Sequence, residues 1–165
     1  MEIKVDAGVL TLSDKASRGE RIDESGKVAA EMLEREGFTI LRREIIPDDR
    51  RRIIQTLREW VDKVGLALIV TSGGTGLSPT DVTPQAMKEV LDYEVPGMAE
   101  AMRAESLKKT PHAMISRAMA GVRGTCLIVN LPGSPRGVEE NLCVILPALK
   151  HALSKLGGDP SDCAT

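Results

Sequence analysis

The residues of this chain that are best suited to chemistry lie in a short glycine-rich segment and an acid that follows it. Residues 71–76 read TSGGTG, and Asp81 stands five residues beyond the last glycine. Glycines let the backbone turn sharply and bring its N–H groups close to an anion such as phosphate. A phosphate-binding loop needs an added acid only where a metal ion or a proton transfer is involved. The segment therefore predicts an anion site at which a reaction takes place.

The sequence on either side of this segment predicts a strand before it and a helix after it. Residues 66–70 are almost wholly apolar, which is typical of a strand buried on both faces of a parallel sheet. Thr83 and Pro84 are typical of a helix N-cap and the first helical residue. A strand, a glycine loop and a helix start, in that order, build an anion site at the carboxyl end of a sheet. The alternative is an ordinary connecting turn, because the segment is neither a Walker A loop nor a GxGxxG fingerprint.

Length and composition exclude several classes of protein. The 165 residues suit one domain, predicted to span 1–165. A net charge of −2 and an aromatic content of 2% give no reason to expect a nucleic-acid partner. We expect no membrane partner either, since no apolar run reaches membrane-spanning length and the first residues lack the apolar core of a signal peptide. The three cysteines are far apart, which argues against disulfides and CxxC metal sites and favours the cytoplasm.

Predicted strands and helices alternate along the chain. Apolar runs predict strands at residues 3–12, 38–46 and 66–71, and a hairpin whose arms are 118–122 and 125–131. Helical spacing predicts helices between Ser25 and Gly37, from near Asp48 to Val64, and at 86–91, 97–107 and 142–156. Pro147 is expected to kink the last of these or to start a new helix. The alternation implies an α/β sheet with helices on both faces.

Polar residues follow four of the predicted strands, where ligands of such sheets bind. The connections concerned begin at Ser13, Pro47, Gly73 and Pro132. Because the carboxyl ends of parallel strands share one edge, we expect these connections to meet there. Their convergence indicates a functional site more strongly than any one of them does.

Each candidate side chain also has an ordinary structural alternative. Asp48 could cap a helix, and Asp81 could form an Asx turn or a helix cap. Ser13 and Asp14 could form a simple turn. Asn130, at the end of a buried strand, could be a satisfied structural amide instead of a ligand.

Six short segments, taken in order, resemble the MogA/MoaB family of molybdopterin adenylyltransferases, which includes the G domain of gephyrin. They are TSGGTG at 71–76, DVTP at 81–84, PG at 96–97, SR at 116–117, GVRG at 121–124 and NLPG at 130–133. The resemblance extends from Ser13 to the last helix. It implies a three-layer α/β sandwich with a mainly parallel central sheet and helices on both faces. It also implies a homo-oligomer, most often a trimer.

The reaction implied by the resemblance transfers AMP from Mg-ATP to the terminal phosphate of molybdopterin and releases pyrophosphate. The product would then pass to a metal-insertion protein. The family's catalytic acids, also the implied Mg²⁺ ligands, fall on Asp48 and Asp81. Ser13 and Asp14 are expected to lie near the nucleotide. The implied substrate-binding residues are Ser72, Gly73, Gly74, Thr75, Gly76, Ser106, Ser116, Asn130, Pro132, Gly133 and Ser134.

One position departs from the family pattern. Thr80 stands where the family often has a basic residue just before the loop aspartate. The charge of a substrate phosphate must then be neutralised elsewhere, for which Arg117 and Arg136 are candidates. The loop N–H groups of residues 73–76 would hold the phosphate, which is already ionised at neutral pH and needs no general base.

Two other readings of the sequence stay open beside the enzyme. One is a non-catalytic molybdopterin-binding or scaffolding relative, which the presence of both acids disfavours. The other is a generic nucleotide-binding α/β enzyme, which rests on architecture alone. Neither the molybdenum or tungsten branch nor the choice between trimer and hexamer is fixed. The apolar residues Met98, Ala99, Met102 and Leu107 predict a helix that covers the site or meets another subunit.

Overall fold

The fold is known from a computed structural model, which describes residues 5–163. Its strands are β1 (Val5–Leu12), β2 (Phe38–Ile46), β3 (Leu68–Ser72), β4 (Tyr93–Glu94), β5 (Ala120–Arg123) and β6 (Cys126–Leu131). Its α-helices are α1 (Asp14–Ser17), α2 (Glu24–Arg35), α3 (Arg50–Glu59), α4 (Thr83–Val90), α5 (Pro96–Leu107) and α6 (Pro135–Leu156). A π-helical turn, Trp60–Val64, extends α3, and a 3₁₀ turn, Pro111–Ile115, follows α5.

The strands form one mixed sheet in the order β2-β1-β3-β6-β5-β4. The first four in this order are parallel neighbours. β5 runs antiparallel to β6, and β4 antiparallel to β5. The four parallel strands therefore end at the same edge of the sheet.

Helices cover both faces of the sheet, which confirms the predicted three-layer sandwich with a mainly parallel sheet. Along β3, Leu68 and Val70 pack towards α2, α5 and α6, whereas Ile69 packs towards α3 and α4. All three side chains are 0% exposed. This is the alternation of a strand that is buried on both faces.

The predicted bounds of some elements differ from the observed ones. The first strand is confirmed from Val5 onward, and residues 3 and 4 lie outside the described residues. The predicted hairpin is confirmed, but Arg123 pairs with Cys126, so Gly124 and Thr125 form its turn. β4 and α1 are too short to give a periodic pattern, and the sequence did not predict them.

The last helix begins seven residues earlier than predicted. Ser134 caps α6 and Pro135 is its first residue, because the apolar stripe already begins at Val138. Pro147 lies inside this single helix, so the predicted fresh start is wrong. Ile145 and Leu149 are buried on either side of Pro147, and their packing stabilises the helix despite the missing N–H.

The methionines of α5 do not form an outer surface. Ala99 and Met102 are buried in the chain's own core, and Met98 packs against it. Only Leu107 of the predicted apolar set is exposed, at 43%. The apolar face of α5 is therefore used within the chain and gives no independent support for an oligomer.

Within the described part of the chain, no helix is both long enough and apolar enough to cross a membrane.

Candidate active site

Four strand-end connections meet at the carboxyl edge of the sheet, as predicted. The Ser13 N–H donates to the Ile46 carbonyl at 3.0 Å, which joins the ends of β1 and β2. The Gly73 N–H donates to the Leu131 carbonyl at 3.1 Å, which joins the ends of β3 and β6. These bonds extend the parallel pairing one step beyond the sheet and bring the connections side by side.

The glycine loop needs glycine at two successive positions. Gly73 and Gly74 have φ values of +99° and +68°, which residues with a side chain rarely adopt. A Cβ on Gly73 would lie 2.3 Å from the Leu12 carbonyl oxygen, and one on Gly74 would lie 2.3 Å from the Thr83 hydroxyl. The loop is therefore pressed against β1 on one side and α4 on the other.

Thr83 holds this loop and does not cap the helix, so its predicted N-cap role is wrong. α4 begins at Thr83 itself, and Val82 precedes it without a capping side chain. The buried Thr83 hydroxyl donates to the Gly73 carbonyl at 3.0 Å. That carbonyl faces the protein interior and needs a donor, which takes the hydroxyl away from the helix.

Three backbone N–H groups of the loop have no hydrogen-bond acceptor in the described chain. The Gly73 N–H is already donated to Leu131, so it is not available to a phosphate as predicted. Among residues 5–163, no acceptor is hydrogen-bonded to the N–H groups of Gly74, Thr75 or Gly76. Successive free N–H groups in such a turn form an anion-binding concavity.

Asp48 lies beside the loop, held by Asp14. The Asp14 N–H donates to Asp48 Oδ2 at 3.1 Å, and the Asp48 N–H donates to Asp14 Oδ1 at 2.9 Å. The helix-cap alternative for Asp48 is wrong, because Asp49 accepts from the Arg52 N–H and caps α3. Asp48 is thus free of the capping duty that its position suggested.

The remaining oxygen of Asp48 has no partner. Oδ1 is buried and makes no hydrogen bond to any described residue. It lies 3.2 Å from the point that a Cβ on Gly74 would occupy, so it borders the glycine loop. Burial raises the pKa of Asp48, the Asp14 N–H opposes this, and the charges of Asp14 and Asp81 raise it further. A cation near Oδ1 would stabilise the ionised form of this carboxylate.

Asp81 approaches the other end of the loop. Its Oδ2 accepts from the Ser78 N–H at 3.0 Å and lies 2.8 Å from the point that a Cβ on Gly76 would occupy. Asp81 does not cap α4, which begins two residues later. The turn bond to Ser78 leaves Oδ1 of Asp81 without a hydrogen bond to the described residues. The two acids therefore border the loop at Gly74 and at Gly76.

Arg117 fixes the loop through its carbonyl groups. Its Nε donates to the Gly76 carbonyl and its Nη2 to the Asp81 carbonyl, each at 2.8 Å. Its backbone N–H donates to the Thr75 carbonyl at 2.8 Å. Of the two residues predicted to neutralise a phosphate, Arg117 donates to the backbone of the loop, and a phosphate-neutralising role for Arg136 stays a prediction.

A cavity of about 440 Å³ opens on the loop. Six of the predicted substrate-binding residues line it, namely Thr75, Gly76, Ser106, Ser116, Pro132 and Ser134. Ser72, Gly73, Gly74, Asn130 and Gly133 do not line it, nor do Ser13, Asp14, Asp48 and Asp81. The predicted set is therefore divided between this cavity and the loop with its acids.

The cavity favours an anionic ligand. Three cationic side chains, those of Arg103, Lys109 and Arg136, line it with one carboxylate, Glu140. Glu140 pairs with Lys109 at 3.2 Å and with Arg136 at 2.8 Å. Ser134 at the N-terminus of α6 also lines the cavity, and a helix N-terminus attracts negative charge.

Sequence reasoning missed the basic lining contributed by α5. Arg103 and Ser106 are three residues apart, so they share one helix face, and both line the cavity. The apolar residues of the same helix dominate its pattern, so the polar spacing is hard to see in the sequence. The sequence also gave no sign of Asn141 of α6, because its partner lies 35 positions away: Asn141 Oδ1 accepts from the Ser106 hydroxyl at 3.4 Å.

Two predicted ligand residues make internal hydrogen bonds, and a third is buried. Asn130 is 0% exposed, with Oδ1 accepting from the Met119 N–H and Nδ2 donating to the Thr71 hydroxyl, so it is a structural amide. Ser13 caps α1 by accepting from the Ala16 N–H at 3.1 Å. Ser72 is 2% exposed, and its hydroxyl is buried without a partner in the described chain.

The side chains at this edge fit a magnesium ion that arrives with a phosphate ligand. No group of three or more His, Cys, Asp or Glu within residues 5–163 is arranged to hold a metal alone. Mg²⁺ commonly uses one or two carboxylates and takes its other ligands from water and substrate phosphates. The unpartnered Oδ1 of Asp48 meets that requirement.

Comparison with known proteins identifies the family. The family model described as "Probable molybdopterin binding domain" matches residues 8–151. The chain belongs to this family. The resemblance to the MogA/MoaB family is confirmed, and the single domain over 1–165 stays a prediction, because the match ends before the termini.

The relatives of this chain include proteins of similar length and much longer ones. It is 40% identical over 154 residues to molybdopterin adenylyltransferase of Helicobacter pylori J99, covering 92% of this chain and 88% of that one. It is 39% identical over 163 residues to gephyrin of Dictyostelium discoideum, covering 93% of this chain but spanning 23% of gephyrin. The solved structure of the molybdopterin biosynthesis enzyme MoaB from Thermus thermophilus is 51% identical, with a TM-score of 0.89, covering 96% of this chain and 99% of that one.

The role of Arg117 can be tested by hydrogen exchange. Arg117→Lys keeps the charge but cannot donate from one planar group to both the Gly76 and Asp81 carbonyls. We expect faster amide exchange at Ser78 and Asp81, whose N–H groups are hydrogen-bonded within the flank of the loop, than in the parent protein. The control, Arg136→Lys, alters a side chain that contacts no loop carbonyl and leaves this exchange unchanged. Equal protection of the Ser78 and Asp81 amides in Arg117→Lys and in the parent would show that Arg117 does not hold the loop.

The raised pKa of Asp48 predicts that the free energy of unfolding depends on pH. Because its pKa in the folded protein is raised above 3.8, the stabilisation from its protonated form is complete below that value. It is lost as pH rises through the folded-state pKa. Asp48→Asn carries no charge, so relative to this variant the parent should lose unfolding free energy between acidic and neutral pH. Urea unfolding at several pH values measures this difference.

Asp49→Asn is the matched control for Asp48→Asn. It removes a neighbouring exposed carboxylate whose capping role asparagine can fill. If the unfolding free energies of Asp48→Asn and the parent change with pH in the same way, the pKa of Asp48 is not raised in the folded protein.

Proposed function

We propose that this chain is a molybdopterin adenylyltransferase, which transfers AMP from Mg-ATP to the terminal phosphate of molybdopterin. One observation carries the proposal: a single glycine loop has a basic cavity on one side and borders Asp48 and Asp81. An anion held by the loop would thus lie between a binding cavity and two metal-binding acids. Curated relatives at about 40% identity carry this enzyme name, which supports the assignment.

The cavity is the proposed site of the pterin. Its volume of about 440 Å³ suits a small molecule, and its hydroxyl and amide groups, such as Ser106 and Asn141, suit a polar ring. Arg103, Lys109 and Arg136 would attract the anionic substrate and compensate for Thr80. The terminal phosphate would then reach the N–H groups of residues 74–76.

The reaction joins two phosphates that repel each other. An ionised oxygen of the molybdopterin phosphate attacks the α-phosphorus of ATP, a new P–O bond forms, and the bond to the β-phosphate oxygen breaks. Pyrophosphate leaves with that electron pair. The nucleophile carries no proton at neutral pH, so the protein must supply positioning and charge stabilisation instead of a base.

Asp48 and Asp81 would hold Mg²⁺ for this step. When bound, the ion neutralises charge on the triphosphate as a Lewis acid. Arg117 holds the Asp81 backbone beside the loop, and the bond from the Ser78 N–H orients the Asp81 carboxylate. Asp48 Oδ1 and Asp81 Oδ2 therefore border the loop, at Gly74 and at Gly76.

The setting of this activity is also a proposal. We infer that the enzyme works in the cytoplasm, passes its product to a metal-insertion protein and forms a homotrimer. The family resemblance supports these inferences.

The reaction can be followed by pyrophosphate release. The parent protein should release pyrophosphate only when Mg-ATP and molybdopterin are both present. Asp81→Asn should bind molybdopterin normally and lose about 10²-fold or more in kcat, as expected for a lost electrostatic group. Asp162→Asn, in the exposed C-terminal segment, is the control and should retain full turnover.

Two results would contradict the proposal. Molybdopterin binding by the parent without pyrophosphate release would favour the non-catalytic relative. Full turnover by Asp81→Asn would remove that acid from the mechanism.

The oligomeric state can be measured by light scattering at micromolar concentration. The trimer predicts three times the chain mass of 17.8 kDa. A mass of one chain would contradict the proposed oligomer, and a mass of six chains would replace the trimer with a hexamer.

A further inference from the structure

Asp14 and Asp48 form a reciprocal pair, here called the aspartate clasp. Each backbone N–H donates to the other residue's carboxylate, at 3.1 and 2.9 Å. The two residues are 34 positions apart and follow the neighbouring strands β1 and β2. The clasp comes one step after the bond from the Ser13 N–H to the Ile46 carbonyl and closes the end of this strand pair.

The local structure explains why both N–H groups are free to enter the clasp. Asp14 is the first residue of α1, where backbone N–H groups have no partner within the helix. Asp48 follows Pro47 in a tight turn closed by the Asp49 N–H and the Pro47 carbonyl at 2.8 Å. Without Asp14, the Asp48 N–H would lose its acceptor in the described chain.

The clasp decides which oxygen of Asp48 faces the glycine loop. Oδ2 is held by the Asp14 N–H, so Oδ1 is left buried, unpartnered and next to Gly74. A free carboxylate could rotate and turn either oxygen away. Holding one oxygen and the backbone of Asp48 at once removes that freedom.

We propose that Asp14 is a positioning residue, whose carboxylate fixes the Asp48 backbone and thereby aims Asp48 Oδ1 at the loop. This role is an alternative to the predicted contact of Asp14 with the nucleotide, which stays a prediction, and it is based on the bond from the Asp48 N–H to Asp14 Oδ1. The inference rests on the proposed function, in which Asp48 serves the reaction. The property of Asp14 that matters is its acceptor oxygen, not its charge.

A pair of variants separates these properties. Asp14→Asn keeps an amide oxygen that can accept the Asp48 N–H, whereas Asp14→Ala does not. Asp14→Ala should lower kcat by about 10-fold or more, a typical cost of losing a group that orients a ligand residue, with KM for Mg-ATP nearly unchanged. Asp14→Asn should keep most of the parent kcat. If Asp14 contacts the nucleotide or its metal, Asp14→Asn should instead lose activity as Asp14→Ala does, and KM for Mg-ATP should rise.

Amide exchange at Asp48 tests the clasp without any turnover. The Asp48 N–H should exchange faster in Asp14→Ala than in the parent and should stay protected in Asp14→Asn. Unchanged protection in Asp14→Ala overturns the inference. A parent protein with no turnover would overturn the proposed function, and the exchange comparison would still decide the clasp. Because Asp14→Asn preserves the bond, it supplies a folded variant even if Asp14→Ala is unstable.

Discussion

Parallel pairing of β2, β1, β3 and β6 is the constraint on which the rest of this structure depends. It brings four strand ends to one edge, where the chain must turn away and the regular ladder of backbone hydrogen bonds stops. Buried carbonyl groups at such an edge need donors from elsewhere. Thr83 supplies one to Gly73, Arg117 supplies two to Gly76 and Asp81, and Ser25 supplies one to Gly133.

The groups that remain unpaired after this arrangement define the site. Two buried side-chain oxygens, Asp48 Oδ1 and Ser72 Oγ, have no partner in the described chain. The N–H groups of residues 74–76 are also free. Donors and an unneutralised carboxylate thus stand together at one loop, which suits a phosphate accompanied by a cation better than either alone.

The sequence predicted the framework of this site better than the duties of its side chains. Apolar runs located the strands, and strand ends located Asp48 and the glycine loop, because both depend on local pattern. Thr83 was misassigned since its acceptor, the Gly73 carbonyl, lies ten residues away and becomes buried only in the fold. The same reason hid the use of Arg117 on loop carbonyls and of Asn130 as an internal amide. These hydrogen-bond partners come together only in the folded chain, so the spacing of residues along the sequence does not reveal them.

The bonds that complete this edge connect residues distant in the chain, which has a consequence for folding. Ser25 and Gly133 are 108 positions apart, and Arg117 and Gly76 are 41 apart. Contacts between such distant residues form slowly, because bringing the two ends of a long chain segment together costs entropy before any contact compensates for it. The glycine loop can reach its final shape only after β6 has joined β3. A partly folded chain in which only β2, β1 and β3 have paired would therefore still lack a competent loop.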